Sequence, residues 1–156
     1  AGAGFVTVHS AGWDMHADSN NPGMQQGMAM LGTTMDHAVS AFLDDVSARG
    51  LSEKILLVIT GDFGRTPRVN KKGGRDHWAK LGTLAFAGGG LNMGQVIGQS
   101  DRQAAQPMTS PYTTAHLMGT IMQTLFDVGE MRLVSGIPPQ IRRLVEESVS
   151  IPELMP

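Results

Sequence analysis

The stretch Ile55-Leu56-Leu57-Val58-Ile59-Thr60, followed without a break by Gly61-Asp62-Phe63-Gly64-Arg65-Thr66-Pro67 (ILLVITGDFGRTP, residues 55–67), decides how this chain reads. A continuous apolar run of this length has no polar face, which is the pattern of a central strand in a parallel sheet. The polar, Gly-rich segment behind it then falls at the strand's carboxyl end, where open α/β sheets bind ligands.

Working outward toward the amino terminus, Met28, Leu31, Met35, Val39, Phe42 and Val46 recur at spacings of three or four, while Asp36, Asp44, Asp45 and Arg49 lie off that stripe. This predicts a helix from about residue 24 to 49, with Gly50 suited to cap its end. Phe5 to His9 (FVTVH) is β-branched and bounded by glycines, so it reads as a buried strand. Strand, helix, strand makes a right-handed βαβ unit by default. Toward the carboxyl terminus, residues 61–80 form a long polar loop of the kind that is usually functional. Residues 81–87 read as a third strand ending in Gly88-Gly89-Gly90, and Gln95 to Gly98 as a short edge strand. Ser110-Pro111 is expected to start a helix reaching about Asp127 and burying Leu117, Ile121, Leu125 and Val128. Pro138 or Pro139 is expected to open a last helix ending near Val149. The expectation is one α/β domain over residues 1–156, a mostly parallel sheet flanked by helices.

Composition narrows the function. At 156 residues, with 41 % apolar and 17 % charged residues, the chain can bury a core and should be globular. A net charge of -2 and the lack of a basic block longer than Lys71-Lys72 give no reason to expect nucleic acid or an anionic membrane as partner. No apolar run approaches the ~18 residues of a membrane span. Without cysteine, any metal must be held by imidazole, carboxylate or other oxygen donors. The chain begins AGAGFVTVHS, with neither an initiating Met nor a visible signal peptide, which suggests a fragment or a processed form.

Three polar clusters carry the chemistry: Trp13-Asp14-Met15-His16, Gly61 to Pro67, and Gly73-Gly74-Arg75-Asp76-His77-Trp78. The first two fall at the carboxyl edge of the expected sheet. The third joins them if the long loop folds back or the third strand runs antiparallel. Asp14 and His16, one residue apart, point to the same side of an extended segment and make a half-site for a divalent ion. Asp62, at a strand end, and His77 are candidates to complete the ligand set. Zn²⁺ suits these donors best, and Mg²⁺ or Mn²⁺ also fit. Arg65 and Arg75 offer planar forks for phosphate or sulfate oxygens and are the candidate catalytic groups. Each residue also has a bland reading: Asp62 as a turn carboxylate, Arg65 paired with a surface acid, His77 packing beside Trp78. Asp76 could orient His77 or be a ligand. His116 reads as structural and His37 as helix surface.

In these motifs, AGWDMH (11–16), GDFGRTPR (61–68) and GGRDHW (73–78), and in AFAGGGLNMGQVIGQSDR (85–102), the chain resembles a bacterial domain-of-unknown-function group of sulfatase-like proteins assigned to the alkaline phosphatase superfamily. The resemblance covers nearly the whole chain, as a carboxy-terminal half truncated on its amino-terminal side. It implies an alkaline-phosphatase-like α/β fold and hydrolysis of phosphate or sulfate esters. By position, it implies Asp14, His16 and His77 on one metal and Asp62 on a second. It also suggests an exported bacterial protein. Superfamily phosphatases place a His after the second-metal Asp, where this chain has Phe63, and no Ser or Thr stands in the family's nucleophile context. Ser10 and Thr66 are weak candidates, and a metal-activated water is the alternative nucleophile.

The leading expectation is therefore a metal-dependent phosphomonoesterase acting on small esters. The alternatives are a sulfatase or phosphodiesterase, and a non-catalytic metal-binding module whose exposed sheet edge would permit a homo-oligomer.

Overall fold

The computed structural model describes residues 2–156. The helical periodicity over residues 24–49 is realised as a run of α1 (Met24–Gly27), a π-helical segment (Met28–Gly32) and α2 (Thr33–Ala48), joined through residues that keep right-handed helical dihedrals. The end of α2 follows from the predicted glycine. Gly50 takes a positive φ of 65°, Leu51 N–H donates to the Val46 carbonyl, and Gly50 N–H donates to that of Ser47. This is a Schellman ending, which satisfies carbonyls the helix would otherwise leave open.

The sheet differs from the expectation. Strand β1 (Leu56–Thr60) pairs with β4 (Leu84–Gly88) in antiparallel register, Leu56 opposite Gly88 and Thr60 opposite Leu84. A second ribbon joins β2 (Gly64–Arg65) to β3 (His77–Trp78), also antiparallel, with Arg65 opposite His77. The described residues thus hold two small antiparallel ribbons, not a mostly parallel sheet flanked by helices. The expected strand at Phe5–His9 joins neither ribbon, and Phe5, Val6 and Val8 are 71 %, 74 % and 87 % exposed. Without that strand no βαβ unit forms. The long loop reverses through β2 and β3, and the chain returns to β1 antiparallel. Continuous hydrophobicity reports burial, not strand direction, so ILLVIT did not specify its pairing. Residues 95–98 also lie outside any strand.

The carboxyl end packs against the segment after β4. Leu91, Ile151 and Leu154 form a buried cluster against which Leu56, Phe86, Ile97 and Met155 pack. Helix α3 (Thr114–Leu125) is capped by Thr113, whose backbone N–H donates to His116 Nδ1 at 3.1 Å. His116 is therefore a capping residue, and the helix begins three residues after the expected Pro111. On α3, Thr120 is fully buried; its hydroxyl donates to the His116 carbonyl and accepts the Ile151 N–H at 2.9 Å. That bond fastens the tail across α3. Leu125 is 44 % exposed, not buried as its spacing suggested. Helices α4 (Val128–Leu133) and α5 (Pro139–Glu147) complete the chain, the latter opening at the predicted proline.

The exposed segment gives a simple test. Because Val8 packs against little, Val8→Asp is expected to change unfolding free energy by less than about 0.5 kcal/mol, as surface substitutions do. A buried strand would lose several times that. Thermal melts of the two proteins decide the matter.

Candidate metal centre

The site is assembled from an extended segment and a hairpin locked face to face. In Trp13 to His16, alternation sends Met15 inward, where it is 2 % exposed over Gly27 of α1. A Cβ on Gly27 would lie 2.6 Å from the Met15 sulfur, so only glycine admits this contact. Asp14 and His16, on either side of Met15, project the other way. The Met15 carbonyl accepts the Arg75 N–H at 2.9 Å, which fastens this segment to the hairpin.

The hairpin supplies the remaining groups. Directly opposed residues of an antiparallel pair share a face, so pairing Arg65 with His77 brings both side chains to Asp14. Between them, the chain is closed by Thr66 N–H to the Asp76 carbonyl (2.8 Å) and Asp76 N–H to the Thr66 hydroxyl (3.1 Å). The Arg75 guanidinium donates to the carbonyls of Thr66 (2.6 Å) and Pro67 (2.8 Å). Its Nη1 is thus engaged in holding the loop.

Three donor atoms converge. His16 Nε2 lies 2.9 Å from Asp14 Oδ1, His77 Nε2 lies 3.0 Å from the same oxygen, and the two imidazole nitrogens are 3.0 Å apart. Among the described residues, Asp14, His16 and His77 form a group that could hold a metal ion. A triangle with these edges matches one face of an octahedron at metal–ligand distances of about 2.1 Å, while a tetrahedral face would open to roughly 3.4 Å. Two imidazole nitrogens and one carboxylate oxygen this close are a donor set that suits a divalent cation.

Surrounding contacts aim the ligands. His16 Nδ1 donates to Asp76 Oδ1 at 3.0 Å, which orients the ring with Nε2 toward Asp14 and His77. Asn70 Nδ2 donates to the His16 carbonyl at 2.9 Å and reaches Asp76 Oδ1 at 3.4 Å. The Phe63 ring lies against that of His77, with centroids 4.4 Å apart. Phe63 therefore buttresses a ligand. Arg65 Nη1 donates to Asp14 Oδ1 at 2.5 Å, and its guanidinium sits 5.6 Å from the centre of the Phe63 ring.

The electrostatics follow from these bonds. The hydrogen bond from His77, then that from Arg65, hold the Asp14 carboxyl down at about 2, against an ordinary 3.8. Stability drawn from these contacts is present above the ordinary carboxylate range and lost as pH falls through about 2. Asp76 is likewise lowered, chiefly by its bond to His16.

Of the expected residues, the structure brings together Asp14, His16, His77 and Arg65. Asp62 is exposed and outside the ligand group. Arg75 serves the loop backbone. Both weak nucleophile candidates are engaged elsewhere: the Ser10 hydroxyl accepts from the Trp13 indole, and the Thr66 hydroxyl donates to the Arg68 carbonyl. Sequence reasoning missed Asn70, whose signal was an amide ahead of the Gly73-Gly74 turn, and left the role of Asp76 undecided. Asp76 orients His16, not its neighbour His77. Asp76→Asn is expected to weaken divalent-ion binding by about 10–100-fold, the usual cost of losing such a partner, with the melting temperature nearly unchanged. Zinc titration against a chromogenic chelator checks both halves.

No curated protein and no solved structure matches the chain. One family profile does, that described as "Protein of unknown function (DUF1501)", over residues 1–155. No sulfatase or alkaline phosphatase family matches, which corrects the superfamily placement drawn from the motifs. The chain belongs to the DUF1501 family, whose profile spans the ligand-bearing segment and the hairpin alike.

Proposed function

We propose that the chain is a metal-dependent hydrolase of small phosphate monoesters, its ion held by Asp14, His16 and His77. The convergence of these three donors beside Arg65 is the observation that carries the reading. When bound, a divalent ion supplies Lewis-acid polarisation and lowers the pKa of coordinated water.

The rest falls to the chain. Asp14 is ionised at any working pH and offers the one anionic ligand. Asp76 accepts from His16 Nδ1, which directs Nε2 of the neutral ring toward the ion site. Asp14, His16 and His77 would hold the ion with three protein donors, and an ion so held would keep positions for water or substrate. Arg65, one bond from Asp14, can turn its remaining N–H groups toward the oxygens of an incoming phosphoryl group and stabilise charge developing there. Neither Ser10 nor Thr66 is hydrogen-bonded to the Asp14, His16 and His77 group, so the nucleophile in this reading is a water activated by the ion. Nitrogen donors favour Zn²⁺, while the facial geometry also suits Mn²⁺, Mg²⁺ or iron(II).

The test is hydrolysis of an aryl phosphate by protein stripped of metal and resupplied with each of these ions. Turnover restored by one ion, and reduced about 100-fold or more in Arg65→Ala, supports the reading. Metal binding with no turnover on phosphate, sulfate or diester would overturn it and leave a metal-binding module.

A further inference from the structure

Beside His16, on the side of the ring facing Asp76, lies an open cleft of about 410 Å³ walled by His16, Asp18, Asn70, Lys71, Lys72 and Asp76. The backbone of the loop carrying its two lysines is braced by hydrogen bonds. Asn70 Oδ1 accepts the N–H groups of Lys72 and Gly74, both at 3.0 Å, and the Asn70 carbonyl accepts that of Gly73 at 3.0 Å. Asn70 Nδ2 ties the turn to the His16 carbonyl, and Met24 N–H donates to the Gly73 carbonyl at 2.9 Å. The turn is thus fixed to a metal-ligand residue and to the start of α1.

The charged groups of the cleft are unequally engaged. Asp76 is bonded by His16 and Asn70. Asp18 accepts the N–H groups of Asn20 and Asn21 at 2.9 Å and the Asn21 amide. Both carboxylates serve their own loops. Neither Lys71 nor Lys72 forms an ion pair among the described residues. Two consecutive lysines on a braced turn, lining a cleft that His16 also lines and paired with neither of its carboxylates, can take an anionic group.

We infer that this cleft is the substrate's second subsite, in which Lys71 and Lys72 bind an anionic group (a carboxylate or second phosphate) remote from the ester held at the metal. The inference rests on the metal-site reading and adds a substrate class: phosphate esters that carry a further negative charge. Because the cleft also contains two carboxylates, each engaged with its own loop, selection comes from the two lysines, unpaired among the described residues, and not from a basic field, and added salt should weaken it.

The test compares two non-hydrolysable probes, propylphosphonate and 3-phosphonopropionate, by calorimetry on zinc-loaded full chain. The carboxylate-bearing probe is expected to bind about tenfold more tightly, the worth of one charge-assisted contact. The preference should vanish in Lys71→Gln/Lys72→Gln while zinc affinity and melting temperature stay unchanged. Equal affinities in the wild-type chain, or a preference that survives in the double variant, would overturn the subsite. The zinc titration reports separately on the metal site: a wild-type chain that binds no zinc removes both readings, and one that binds zinc without the preference removes only this one.

Discussion

His77→Ala and Asp14→Asn are each expected to lower divalent-ion affinity by on the order of 10³-fold, beyond the roughly 10–100-fold loss of an outer partner such as Asp76. The reason is the number of donors. Three protein atoms form the triangle, and two cannot fix an ion against water. The two variants differ in a useful way. His77→Ala removes a nitrogen and the bond that contributes most to lowering the Asp14 carboxyl, but leaves Arg65 on Asp14. Asp14→Asn keeps an oxygen for Arg65 while removing the only anionic ligand, so the cluster is left with Arg65 and two imidazoles and repels a cation. Asp14→Asn should therefore be the worse binder and His77→Ala the less damaging to stability. Chelator competition with Zn²⁺ gives both constants. Wild-type affinity in either variant would mean the ion, if any, binds elsewhere.

The grouping of Asp14, His16 and His77 was more legible in the sequence than the sheet was. Asp14 and His16 could be paired because a spacing of two fixes side-chain direction on any extended segment, whatever sheet it joins. His77 and Arg65 could be suspected because each sits in a compact polar motif. Their meeting depended on the loop between them folding back, and that is set by Arg75, Thr66 and Asp76 bonding to backbone groups, which no periodicity reports. The same blindness explains the sheet. FVTVH and ILLVIT both carry strand-forming residues, but propensity does not choose a partner. ILLVIT found β4, and FVTVH found none. Helices fared better because their hydrogen bonds are local: the 24–49 stripe, Gly50 and the proline at α5 all act within a few residues. Asp62 illustrates the remaining gap. A carboxylate at a strand end, between Gly61 and Phe63, looks like a ligand; it lies exposed and outside the Asp14, His16 and His77 group, while the neighbouring Phe63 ring packs on His77.

Gly74→Ala is expected to cost about 3 kcal/mol, the upper end for forcing extra atoms into a packed site, and to lower the melting temperature by roughly 6–12 °C. An added Cβ would lie 2.1 Å from both the carbonyl carbon and oxygen of His16 and 2.7 Å from the Ala17 nitrogen. All three are backbone atoms, so no rotamer change relieves the clash. The loop must lift away from the 13–16 segment, and three bonds go with it: Asn70 Nδ2 to the His16 carbonyl, Arg75 N–H to the Met15 carbonyl, and His16 Nδ1 to Asp76. The last orients a ligand ring, so zinc affinity should fall together with stability. Gly73→Ala is the control. It adds its methyl to open space but at a φ of 89°, where a Cβ is strained. That variant should lose about 1–2 kcal/mol from backbone strain alone and keep its zinc affinity. If Gly73→Ala weakened zinc as much as Gly74→Ala, loop flexibility rather than the seating of the hairpin on His16 would govern the site, and the close approach at Gly74 would have no special role in it.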